Sequence, residues 1–137
     1  MRTFYLFKIN KEFITLSEKR PYNLYKTMED IYNLKEDELN IGYTMFRQII
    51  SPFDKEKMNN YIFHNYKDDD HYTKYNNNHM INNFYTDEQS KLVVNKTFLM
   101  LKTTKVKPTF FDDLKNDTAI FVCDFKNKDY FWLEEML

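Results

Sequence analysis

The sequence predicts an α+β fold: one domain with a mainly antiparallel sheet, an N-terminal strand, about three helices and a C-terminal β-hairpin. Three observations predict it. Residues 3–9 are aromatic and aliphatic on both faces, apolar residues then recur at helical spacing, and two β-rich runs close the chain around a polar turn. The 137 residues suit a single domain spanning 1–137, since two would each approach the lower size limit.

Thr3-Phe4-Tyr5-Leu6-Phe7-Lys8-Ile9 lacks polar alternation until Lys8, which predicts a buried strand near the middle of a sheet. Glu12–Leu16 follows as a short polar-apolar segment, with Thr15 and Glu18 at capping-box spacing. Pro21 suits the first turn of a helix, and Leu24, Tyr25, Met28, Ile31 and Tyr32 form its apolar stripe. A second helix over 39–50 carries Leu39, Tyr43, Phe46, Ile49 and Ile50 on one side and stops at Ser51-Pro52. A third starts at Asp54, with Phe53 and Met58 as a hydrophobic staple. Residues 66–78 are polar and predict a loop, and His79–Tyr85 a strand. Lys91–Val94 and Thr97–Lys102 predict paired strands about a tight Asn95-Lys96 turn, and Thr109 the cap of a short helix. Ala119–Phe125, the turn Lys126–Asp129 and Tyr130–Leu133 predict the closing hairpin.

Composition excludes several classes of function. Twenty Lys and Arg against twenty-one Asp and Glu leave a net charge of −1, without the basic excess that drives nucleic-acid affinity. No apolar run is long enough to span a membrane, and Lys8 breaks the N-terminal stretch too early for a signal peptide. One cysteine cannot form an internal disulfide, which fits a reducing cytoplasm. The mean hydropathy of −0.73 is low, but an aromatic content of 18% opposes disorder. Gly42 is the single glycine, so glycine-rich phosphate loops are excluded.

No catalytic set emerges. Asp68-Asp69-Asp70-His71 holds ligand-type residues, but four consecutive positions do not converge on one ion, and a solvated acidic loop is the simpler reading. His64 and His79 lack a metal-binding partner at helical spacing. Cys123 lies inside a strand, where a thiol packs as a small apolar group. Asp112-Asp113 and Glu134-Glu135 are adjacent pairs whose side chains diverge, and Trp132 reads as core. Neither a cofactor nor a metal is expected. What remains is binding through a surface patch. Phe13 is its first candidate, as either a cover for the sheet end or an anchor for a partner.

The two ends of the chain carry a family likeness. Phe4-Tyr5-Leu6-Phe7-Lys8-Ile9-Asn10-Lys11-Glu12-Phe13 resembles the aromatic first strand and Lys-x-Glu-Phe of SirA, the sporulation inhibitor of replication. Ala119–Leu133, with Asp124-Phe125, a lysine-bearing turn and Trp132-Leu133, is similar to that family's closing hairpin. The resemblance implies a cytoplasmic regulator, monomeric alone. It would bind the N-terminal domain of the replication initiator DnaA and block initiation during sporulation by covering a helical surface, without touching DNA or membrane. Carried over by position, it implies a contact patch of Phe13, Ser17, Met45, Gln48 and Glu135. Met45 and Gln48 follow from anchoring the second helix on Pro52; Ser17 stands where an aromatic is expected and Glu135 where a proline is. Two other readings stay open. One is a small transferase-like enzyme whose ligand site is built from backbone groups, and the other is a structural or assembly subunit.

Overall fold

The computed structural model describes residues 1–17, 20–34, 36–117 and 119–135, with the side chains of Leu16, Ser17 and Glu36 outside that set. The aromatic N-terminal run is β1 (Arg2–Lys8), followed by α1 (Lys11–Ser17), α2 (Pro21–Tyr32), α3 (Leu39–Ile49) and α4 (Lys55–Tyr66). The second half holds β2 (Tyr72–Tyr75), β3 (Asn78–Asn83), β4 (Glu88–Val94), β5 (Leu99–Thr103), α5 (Thr109–Leu114), β6 (Ile120–Asp124) and β7 (Asp129–Trp132). The seven strands form one sheet in the order β2-β3-β4-β5-β1-β6-β7. Every strand pairing in it is antiparallel. The class is therefore α+β, as the sequence predicts, with more helices than the periodicity alone resolves.

β1 is apolar on both sides because helices cover both faces of the sheet. Phe4 and Leu6 join a core with Ile62 and Tyr66 of α4 and Phe110, Phe111 and Leu114 of α5. Phe7 faces the other way, into a second core with Leu24, Tyr25 and Met28 of α2 and Ile49 at the end of α3. The first helices owe their positions to local chemistry. Pro21 opens α2, and the Asp54 side chain accepts from the Lys57 amide at 3.1 Å to cap α4. Phe53 and Met58 pack in the same core, as a staple requires. Among the described residues no helix is long and apolar enough to cross a membrane.

Four local expectations are corrected. Glu12–Leu16 belongs to α1, so Thr15 is interior to that helix rather than a cap, and its hydroxyl donates to the Lys11 carbonyl; Glu18 lies outside the described residues. The 66–78 loop contains the end of α4 and the β2–β3 hairpin, whose turn rests on Asn76 at φ 53°, a left-handed conformation that asparagine tolerates. The β4–β5 connection spans residues 95–98, with the Asn95 amide bonded to the Phe98 carbonyl. Lysine disfavours the left-handed backbone of a two-residue turn, and here the Lys96 carbonyl instead accepts from the Phe53 amide at 2.7 Å. Pro108, not Thr109, caps α5. The Thr109 hydroxyl donates to the buried Glu88 carboxylate, which also accepts from the Thr109 amide at 3.1 Å and from Ser90 at 2.6 Å.

Among the described residues the indole Nε1 of Trp132 is the one buried side-chain nitrogen or oxygen without a partner; the buried charged and imidazole groups are paired. Arg2 Nε donates to the buried Asp124 carboxylate and its terminal nitrogen to Asp129, both at 2.9 Å, closing the β6–β7 turn onto β1. His79 is fully buried, and its Nε2 lies 2.8 Å from Asn59 Oδ1. The Asn59 amide nitrogen donates to Asn77, so Oδ1 is the acceptor, Nε2 carries the hydrogen, and Nδ1 accepts from the Tyr72 hydroxyl at 2.7 Å. Burial pushes this imidazole down to about 4. Since the unfolded side chain titrates near 6.5, the neutral form's stabilisation is complete above that pH and is lost as pH falls toward 4. The expected loss approaches about 3 kcal/mol. Urea unfolding between pH 7 and pH 4 measures it. His79→Leu should flatten the slope across this window, and an unchanged slope would assign it to other groups.

Candidate functional site

The surface of interest forms where β1 passes into α1. The Ile9–Ile50 bridge joins this point to the end of α3. The Asn10 amide donates to the Ile49 carbonyl at 2.8 Å, and the Ser51 amide to the Lys8 carbonyl at 2.7 Å. The Asn10 side chain reaches the Gln48 carbonyl at 3.4 Å, while its own carbonyl accepts from the Phe13 amide at 2.9 Å to start α1. Phe13 is half-buried against the second core: its ring covers the sheet end and leaves an edge in solvent.

Met45 and Gln48 are exposed and one turn apart on α3. Gln48 adjoins the α1–α3 junction through its carbonyl, while Met45, one turn earlier, shares a lining with Thr27, Asp30 and Ile31 of α2. Glu135 is exposed at the end of the 3-10 turn Leu133–Glu135 that follows β7. The registers Lys8↔Ile120 and Phe121↔Trp132 put that turn at the same end of the sheet as the junction, but two strands away from β1, about 10 Å by strand spacing. Ser17 is the last residue of α1, and its side chain lies outside the described residues.

α3 departs from the stripe read in its sequence. Ile49 and Ile50 are buried, but Leu39 is 51% and Tyr43 56% exposed. The two helices meet closely at one point. Leu34, just past α2, lies on the α3 backbone at Gly42, where a Cβ would stand 1.9 Å from Leu34 Cδ1. On one side of that contact the two helices and the sheet enclose a groove of about 620 Å³. Tyr5, Phe7, Phe98 and Phe125 line it from the sheet side, and Tyr32, Tyr43 and Phe46 from the helices. Tyr32 stacks on Phe125 with ring centroids 4.5 Å apart. Among the described residues the groove lining is aromatic and aliphatic apart from Asn40 and the hydroxyls of Tyr5, Tyr32 and Tyr43, so it offers mainly apolar contact.

The groups once weighed for chemistry sit elsewhere. Cys123 is buried, and desolvation pushes its thiol far above the ordinary range, leaving it protonated and inert. Asp68–Asp70 are exposed in a turn where Asp69 accepts from the His71 amide. No cluster of three or more metal-ligating side chains occurs among the described residues. Trp132 is buried edge-on to Phe121, with ring centroids 5.0 Å apart. The sequence reading missed Ile41, 70% exposed on α3. Its signal was present as an apolar residue off the helix's own stripe, the pattern an interaction surface leaves.

Residues 2–137 match the family described as Sporulation inhibitor of replication protein SirA. The chain belongs to the SirA family. The match spans both motifs at the chain ends and everything between them, so membership does not hang on the two termini. No curated protein matches the chain. By its description the SirA family inhibits replication at sporulation, a regulatory role.

Proposed function

We propose that this SirA-family chain binds the N-terminal domain of the replication initiator DnaA and so inhibits initiation of chromosome replication during sporulation. The observation that carries the reading is membership of a family of replication inhibitors across residues 2–137. The exposed side chains of this region support it, because a half-buried aromatic at the start of α1 together with exposed Met45 and Gln48 on α3 is the make-up of a protein-binding patch. The contact set is Phe13, Met45 and Gln48, with Ser17 and Glu135 at its margins. The net charge of −1 fits a protein partner rather than a phosphate backbone. In this reading the protein is a cytoplasmic monomer until it meets its partner, and inhibition is steric.

Calorimetric titration of the full chain with the purified DnaA N-terminal domain from the same organism tests the reading. A saturable one-to-one isotherm is the expected result. Absence of binding at high micromolar concentrations would overturn it.

A further inference from the structure

Across the Leu34–Gly42 contact from the large groove lies a second, smaller cleft of about 200 Å³ between α2 and α3. Its walls are apolar: Ile31 and Leu34 on one side, Ile41 and Met45 on the other. Asp30 and Glu38, both exposed, stand in the same lining. The volume falls below the 300–1,000 Å³ typical of small-molecule sites and suits one long side chain. Neither carboxylate takes part in an ion pair among the described residues. The neighbouring Lys26 ammonium is held by Glu29 at 2.8 Å.

We propose that this cleft receives an arginine or lysine side chain of the protein partner, its methylene stem against Ile41 and Met45 and its cation between Asp30 and Glu38. An apolar slot with carboxylates at its rim matches the two halves of such a side chain, which buries its stem and keeps its charge paired. Continuity argues for the same partner as above, since Met45 belongs both to the cleft and to the proposed contact patch. Ile41, Met45 and Gln48 fall at i, i+4 and i+7, so one outward face of α3 carries the cleft wall and the patch together. The inference thus rests on the partner-binding reading and extends its surface along α3 toward α2.

The test is titration of the DnaA N-terminal domain into the wild-type chain and into an Asp30→Asn/Glu38→Gln variant at two ionic strengths. Both side chains are exposed, and circular dichroism checks that the variant is folded. The expected result is affinity about tenfold weaker at low salt, with a shallower salt dependence than wild type. Ile41→Ser, which leaves the charges in place, should weaken binding about fivefold with the wild-type salt slope. Unchanged affinity in the double variant overturns the cleft and leaves the partner reading intact. Weakening without a change of slope means an uncharged occupant and also overturns it. A wild-type chain that does not bind the domain overturns both.

Discussion

Phe4→Ala is expected to lower the unfolding free energy by about 3–5 kcal/mol. The ring is fully buried at the centre of the first core. It meets Phe111 of α5 edge-on at 5.3 Å and Phe131 of β7 at 6.2 Å, while the Arg2 guanidinium lies over it at 4.5 Å. Truncation removes the shared contact of a central strand, a helix and an edge strand, and antiparallel pairing on both sides of β1 leaves little room for collapse into the void. Domains of this size are stable by only about 5–15 kcal/mol, so a substantial part of the total is at stake. Urea unfolding followed by tryptophan fluorescence measures the loss, since Trp132 is buried in the neighbouring core. Phe4→Leu, which keeps most of the volume, should recover more than half of it. A loss below about 1 kcal/mol for Phe4→Ala would contradict a packed ring at this position.

Phe13→Ala is expected to weaken binding of the DnaA N-terminal domain by about 2 kcal/mol or more, roughly thirtyfold. The ring is also part of the second core, so stability should fall as well, by about 1 kcal/mol, in proportion to its partial burial. The two effects separate cleanly: a chain that keeps several kcal/mol of stability is still almost wholly folded, so the affinity loss cannot come from unfolding. Ile14→Ala provides the control, because Ile14 packs against the same core beside Phe13. It should lower stability comparably and change affinity little. Equal affinity losses in the two variants would make Phe13 a cover for the sheet end and nothing more.

How legible each part was depended on how local its cause is. β1, α2, the α4 cap and the closing hairpin are written in short stretches of sequence, through two-sided apolarity, a proline at the first turn, an aspartate ahead of a helix and a polar turn between β-rich runs. β2 was hidden because Tyr72–Tyr75 lies in a polar stretch, whereas β3 was legible as the strand His79–Tyr85 and runs over Asn78–Asn83. They pair because Asn76 supplies the turn and because Tyr72, His79 and Ile81 have a buried face to fill. Thr109 carries the residue type of a cap, yet its hydroxyl is drawn to Glu88, twenty-one positions away in the chain. The candidate patch divides in the same way. Phe13 stands out locally as an aromatic just past a strand, whereas its nearness to Gln48 depends on the Asn10 and Ile9 links to the end of α3.

The sequence by itself determined the α+β class, the interior place of β1 and the burial of Cys123 and Trp132. All of these follow from which residues favour burial or a given backbone. Only the tertiary structure decided that the stripe of α3 is half uncovered, and that two unlike clefts flank the Leu34–Gly42 contact. Periodicity records that a helix has an apolar face; how much of that face is covered depends on how closely its neighbour can approach, and here one leucine seated on one glycine sets that distance.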